Sequence, residues 1–158
     1  MNMRSGGFET RYPEGIDLVW LASDRNDHLG AFITAGAGPI PIQALDRKSL
    51  QLTDIEGVIC GMPQVSAARL LVSVPRPDSF AEMAERGVFV YDWSDVHRTT
   101  REAILAYEPV AAPTHPITVN MLPANLAEVA MGLKFAEVAF SSGQALDPRT
   151  YMRCLEGG

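Results

Sequence analysis

Ile16-Asp17-Leu18-Val19-Trp20-Leu21-Ala22, the polar cluster Ser23-Asp24-Arg25-Asn26-Asp27, and the run from Leu29 to Ala35 together decide the fold. Both apolar runs are rich in residues that suit a pleated, buried surface. The polar connection of about five residues is too short for a parallel crossover, so the runs predict an antiparallel hairpin. Gly36-Ala37-Gly38-Pro39-Ile40-Pro41 ends the second strand, because Pro cannot donate to a ladder and Gly favours a turn. Trp20 is predicted inside, and the tip from Asp24 to Asp27 outside.

Working outward, Ile42 to Leu50 predicts a short helix. Thr53-Asp54-Ile55-Glu56 has capping-box spacing and predicts a helix from Asp54 to about Gly61. Ser79-Phe80-Ala81-Glu82 repeats that spacing, and Gly87 stands where a left-handed terminator belongs, which predicts a helix from Phe80 to Arg86. Val88-Phe89-Val90-Tyr91 reads as a strand. Ser94 is a candidate cap for a helix over Asp95 to Ala106, with Val96, Thr100, Ala103, Ile104 and Tyr107 on one face. Glu108 to Ala112 and Ile117 to Leu122 read as a second hairpin about Pro113-Thr114-His115-Pro116, in which His115 is an exposed turn residue and its bond to Pro116 a candidate for cis geometry.

Pro123 and Asn125 open a helix through Met131. Beyond Gly132, Lys134 to Phe140 reads as a strand, or else residues 124–140 form one helix, since an internal Gly costs only about 1 kcal/mol. Asp147-Pro148 begins a last helix, with Asp147 as cap. Met121 and Met131 are expected to fill core gaps. The sum is α+β: a largely antiparallel sheet with short helices packed against it.

Composition bounds the function. At 158 residues, 47% hydrophobic and 20% charged, the chain is expected to form a single domain, with residues 1–14 as a disordered or extended arm. No apolar run approaches the roughly 20 residues of a membrane span. Met1 to Arg11 has no apolar stretch of a secretory signal, which implies a cytoplasmic protein. A formal net charge of −6 argues against nucleic acid and anionic membranes as partners, since both require basic footprints. It favours a cationic partner. The stretch from Asp78 to Asp95 concentrates acid, with Asp78, Glu82, Glu85, Asp92 and Asp95 against Arg86 alone.

The chain holds no complete catalytic or cofactor signature, and no cofactor is expected. Cys60 and Cys154 stand alone, without metal-ligand spacing, so neither a disulfide scaffold nor a zinc module is expected. Cys60 reads as a buried small hydrophobe. Gly36-Ala37-Gly38 opens like a dinucleotide fingerprint, but Pro41 occupies the third glycine position. Asp24-Arg25-Asn26-Asp27-His28 gathers carboxylates and an imidazole without the ligand spacing of a calcium loop. Tyr91-Asp92-Trp93-Ser94-Asp95-Val96-His97 is the most concentrated chemistry. Asp92 and His97 could pair as acid and base about Ser94 if the backbone folds back. The same residues are also explained by core aromatics, a helix cap and a surface His, or by an acidic, aromatic contact patch in which Trp93 is either core or interface.

Asp17-Leu18-Val19-Trp20-Leu21-Ala22-Ser23-Asp24 through Gly30-Ala31-Phe32 to Gly38-Pro39-Ile40-Pro41, and Arg86-Gly87-Val88-Phe89-Val90-Tyr91-Asp92-Trp93, resemble small, acidic, single-domain bacterial immunity proteins. Those proteins bind and neutralise a partner toxin of an interbacterial competition system. The resemblance implies a non-enzymatic protein that captures a cationic toxin domain. From the residues themselves, Asp24, Asp27, Asp92, Trp93, Asp95 and His97 are the candidate contacts. The alternatives are a small hydrolase or ligand-binding enzyme with a pocket near Asp92, Ser94 and His97, and a structural subunit of a homo-oligomer such as a homodimer. The hairpin supplies a first test: Trp20→Ala is expected to destabilise by about 3–5 kcal/mol in denaturant melts, and an unchanged midpoint would contradict a buried Trp20.

Overall fold

The structure, a computed structural model, describes residues 12–13, 17–45, 51–72, 78–93 and 105–156. The hairpin forms as predicted: β1 (Val19–Asp24) and β2 (Leu29–Ile33) pair antiparallel, with Trp20 opposite Phe32 and Ser23 opposite Leu29. Every residue of both strands is buried. The hairpin therefore lies in the middle of a larger sheet. Further strands are β3 (Ile40–Pro41), β4 (Ala68–Leu70), β5 (Phe89–Asp92), β6 (Glu108–Pro113), β7 (Lys134–Phe135) and β8 (Cys154–Leu155). The main sheet has the order β4-β6-β5-β2-β1-β7, and β3 pairs with β8 apart from it.

The fold is α+β with a mixed sheet. β1/β2, β5/β6 and β4/β6 are antiparallel, whereas β5 lies parallel to β2 and β7 parallel to β1. The parallel pairs follow from long connections: the chain leaves β2 at Ile33 and returns at Phe89, ample length for a crossover. The helices are α1 (Ile42–Leu45), α2 (Ile55–Cys60), α3 (Asp78–Glu85) and α4 (Ala124–Met131). Among the described residues none is long and apolar enough to cross a membrane.

Alternation along the strands divides the interior into two layers. Val19, Leu21, Leu29, Ala31, Ile33 and Val90 face an aliphatic layer completed by Ile55 and Ile59 of α2, Phe80 and Met83 of α3, and Leu126 and Val129 of α4. Trp20, Phe32, Phe89 and Tyr91 face an aromatic layer with Tyr107, Phe135 and Phe140. There Trp20 stacks on Phe32 at 4.1 Å and 8°, and Phe32 on Tyr91 at 4.6 Å and 14°. Tyr107 stands edge-on to Trp20 and Phe32 at 5.4 and 5.3 Å. Stacked and edge-to-face rings each add about 0.5–1.5 kcal/mol beyond their buried area.

Several expectations are corrected. Ile117 to Leu122 is not a strand but a segment with a 3-10 turn over Val119–Met121. β6 already pairs with β5 and β4, so it has no free edge for a hairpin partner. Instead the Ile117 N–H donates to the Gly87 carbonyl and the Val119 N–H to the Asp27 carbonyl, both at 3.0 Å. Met121 and Met131 are 61% and 66% exposed rather than core residues. Only Lys134–Phe135 of the strand predicted through Phe140 forms, and Gly132 does end α4, so the single long helix is not adopted.

Neither capping box forms as expected. Thr53 lies inside a 3-10 turn, Leu52–Asp54, which leaves Asp54 at the cap of α2 without a side-chain bond. Ser79 lies inside α3, which begins at Asp78. Asp147 does cap Pro148–Thr150, a 3-10 rather than an α-helix, by accepting the Arg149 N–H at 3.0 Å. His115 is exposed, and no described peptide bond is cis. The first helix is described only as far as Leu45, and most of the one predicted over Asp95 to Ala106 lies outside the described residues, as do residues 1–11 of the predicted arm.

Gly87 ends α3 as predicted, with φ +90°. A Cβ there would also come within 2.6 Å of Ile117 Cγ2. Gly87→Ala combines a left-handed backbone penalty with overpacking, and a loss of about 2–4 kcal/mol is expected in chemical denaturation. A loss below about 0.5 kcal/mol would contradict this geometry.

Candidate functional site

Those predicted contacts that are described, Asp24, Asp27, Asp92 and Trp93, fall into two groups at opposite ends of the central strands. β5 runs parallel to β2, so Asp92 and Trp93 stand at the Ile33 end while Asp24 and Asp27 stand beyond the Leu29 end. At about 3.3 Å per residue the two ends are roughly 13 Å apart.

Asp24 is 0% exposed, against the expectation that it lies on the tip's surface. Its Oδ1 accepts the N–H groups of Asn26 (2.8 Å) and His28 (2.9 Å), and its Oδ2 accepts that of Phe140 (2.8 Å). Charge-assisted bonds of this kind are strong. They make Asp24 a brace that shapes the tip and ties it to the 3-10 turn Phe140–Ser142. Asp27 is exposed and pairs with Lys134 at 2.9 Å. Such a pair contributes at most about 1 kcal/mol.

Asp92, 4% exposed, ends β5 between Ile33 and Glu108 in register. Trp93 is half-buried: its ring meets Tyr107 at 5.1 Å, and the Arg149 guanidinium lies 5.6 Å from the ring centre. Arg149 is held in turn by Asp147 and Glu156, each at 2.9 Å. Trp93 is thus packed on the aromatic layer. Ser94, Asp95 and His97 lie outside the described residues.

A different acidic face is assembled by α2 and α3. Cys60 Sγ lies 3.8 Å from Glu82 Oε1, and Glu56 stands one helical turn before Cys60, which places it on the same side of α2. Asp17, just ahead of β1, accepts the Ala35 N–H at 2.9 Å and adds its charge to this face. Burial, then Asp17 and Glu82, push the Glu56 carboxyl above its ordinary range. Burial, Glu82 and Glu56 push the Cys60 thiol up to about 11.

No described cation forms an ion pair with Asp17, Glu56 or Glu82. Arg86 is nearby but donates to the main-chain carbonyls of Met62 (3.1 Å) and Glu82 (3.2 Å) and lies 3.7 Å from Glu85. Glu82 belongs to the acidic stretch singled out in the sequence. Glu56 was missed, although its four-residue spacing to Cys60 is a signal. Asp17 joins only through tertiary contact.

No known protein family, curated protein or solved structure matches the chain.

On the aromatic side a cleft of about 520 Å³ opens beside β4, β5 and β6. Phe89, Tyr91 and Phe140 contribute to its walls, and Arg69, Glu108, Ser141 and Ser142 supply polar groups. Burial, and the charge of Asp24, raise the Tyr91 phenol, so it stays protonated at neutral pH. Burial likewise pushes the half-buried Cys154 thiol up to about 12. Neither cysteine is a thiolate nucleophile near neutrality. Among the described residues no three His, Cys, Asp or Glu side chains are grouped to hold a metal.

The acidic face gives stability a pH dependence of definite sign. Because the folded-state pKa of Glu56 is raised, its ionisation destabilises the fold above that pKa, and the cost vanishes as pH falls through it. Glu56→Gln is therefore expected to raise the Tm at about pH 7 and to leave it unchanged at about pH 3. Equal shifts at the two pH values in thermal melts would contradict a raised proton affinity at Glu56.

Proposed function

We propose that this chain is a non-enzymatic binding protein of the immunity type, which neutralises a partner toxin by covering a basic surface on it. The observation that carries the reading is the face of Asp17, Glu56 and Glu82, where burial and then the charges of Asp17 and Glu82 raise the proton affinity of Glu56, and no described cation pairs with any of the three. Like charges held together cost folding free energy, and a cation supplied by a partner relieves that cost. The net charge of −6 supports the same reading, since it would steer a basic partner from a distance and raise the association rate.

Asp27 and the solvent-facing part of Trp93 remain candidate contacts. Asp24 and Asp92 are buried and are not contacts. A second reading, a ligand-binding enzyme, draws on the cleft beside Tyr91 and Glu108, because Glu108 is the register neighbour of Asp92.

The test is a growth assay. The neighbouring gene of the source genome is induced in a test bacterium, alone and together with this chain. Arrest by the neighbour and recovery with this chain are expected, and the double variant Glu56→Lys/Glu82→Lys is expected to lose at least about tenfold of the protection while melting as a folded protein. A harmless neighbour, or full protection by the double variant, would count against the reading.

A further inference from the structure

Beside the acidic face lies a groove of about 610 Å³, between the C-terminal ends of α2 and α3 and the segment from Ile117 to Pro123. Val58, Met62, Val65, Met121 and Leu122 line it. Val65 is 46% exposed, and Met121 more so. Single exposed apolar side chains are ordinary on a protein surface, but a contiguous set in a concavity marks an interaction site. Met62 and Met121 supply unbranched, polarizable side chains that adapt to a partner's shape.

The groove is built on anchored backbone. Val119 is buried beneath the 3-10 turn, and the Val119 N–H is bonded to the hairpin tip and the Ile117 N–H to Gly87. Met121 is thereby held outward, and a partner would lose little free energy in ordering this wall.

Charge selects the occupant. Among the described residues Arg86 is the one charged residue in the lining, and it is committed to the Met62 and Glu82 carbonyls and to Glu85. Glu82, on α3, stands four residues before Arg86, which directly follows the helix, a spacing of about one turn or 5.4 Å along the axis. This sets Glu82, with Glu56 near it, about one helical turn beyond the apolar lining, and no described cation forms an ion pair with either. An apolar centre with a charged rim is the anatomy of a protein interface.

We infer that this groove docks an amphipathic, cationic segment of a protein partner, its apolar side chains against Met62, Val65 and Met121 and its Lys or Arg residues toward Glu82 and Glu56. The inference rests on the binding reading above and names its surface.

Fluorescence anisotropy with labelled synthetic peptides tests it. A helical Leu/Lys peptide is the probe, and a Ser/Lys peptide of equal charge and a Leu/Glu peptide are the controls. Only the Leu/Lys peptide is expected to bind. Met121→Asp and Val65→Asp, both at exposed positions and checked by melting, are each expected to weaken it at least tenfold, and Glu82→Lys to weaken it and flatten its salt dependence. Equal binding of the Ser/Lys peptide, wild-type binding by both Asp variants, or no binding of the Leu/Lys peptide overturns the inference. Full protection in the growth assay by Met121→Asp, in a variant that has lost the peptide, also overturns it and leaves the immunity reading standing. Groove-dependent peptide binding alongside a harmless neighbouring gene has the opposite meaning: the groove stands and the immunity reading falls.

Discussion

The hydroxyl of Tyr107 holds the aromatic half of the molecule together. It accepts the Trp20 indole N–H at 3.1 Å and donates to the Pro39 carbonyl at 2.9 Å, which joins β1, the turn after β2 and the start of β6 through one buried oxygen. The Tyr107 backbone exchanges two hydrogen bonds of 2.8 Å with Leu146, so the C-terminal part of the chain closes over the same point. Buried Tyr and Trp polar atoms are costly unless each finds a partner, and here they satisfy one another. Burial raises the Tyr107 phenol well above its ordinary range, which keeps its donor in place. Gly38 belongs to this arrangement: a Cβ on it would lie 2.4 Å from the Tyr107 oxygen. The second glycine of the stretch that opens like a dinucleotide turn therefore makes room for a tyrosine.

The two faces of the sheet are covered by different means, with consequences for function. Helices cover the aliphatic face, and a helix that buries one stripe presents its opposite side to solvent. The acidic face and the apolar groove both lie on those outward sides, on α2 and α3. Turns and short strands cover the aromatic face, where the carboxylate of Asp24 is consumed by backbone donors. Carboxylates of one chemical type thus take two roles. Asp24 stabilises the fold by accepting N–H groups, while Asp17, Glu56 and Glu82 crowd together with no described cation paired to them.

Parts of the site were legible in residue order and parts were not. The acidic bias between Asp78 and Asp95 pointed to α3, and Glu82 does lie on the acidic face. Asp92 could not be read as buried, because the last residue of a strand faces solvent or interior according to which strands flank it. Asp24 looked like a tip residue for a similar reason: an Asp beside a turn is ordinary in solvent, and only the approach of Phe140, far along the chain, encloses it. Met121 and Met131 read as core by hydrophobicity, but the core positions on their segments go to Val119, Leu126 and Val129.

Local order determined the elements whose cause is local. The antiparallel hairpin follows from two apolar runs and a short polar link, the end of α3 from a glycine able to take positive φ, the Pro148 turn from an Asp cap before a proline, and α4 from its spacing between Pro123 and Gly132. Tertiary structure alone decided what depends on distant partners. The choice of β2 as the parallel neighbour of β5, the placement of β6 between β5 and β4, and the diversion of Ile117 to Gly87 all require knowing which edges are already paired. The same holds for the meeting of Asp17, Glu56 and Glu82. A hydrophobic pattern states which side of an element is buried, but not against what, since apolar burial carries no direction. Partners are chosen by shape, by hydrogen bonds and by charge once the chain has closed on itself.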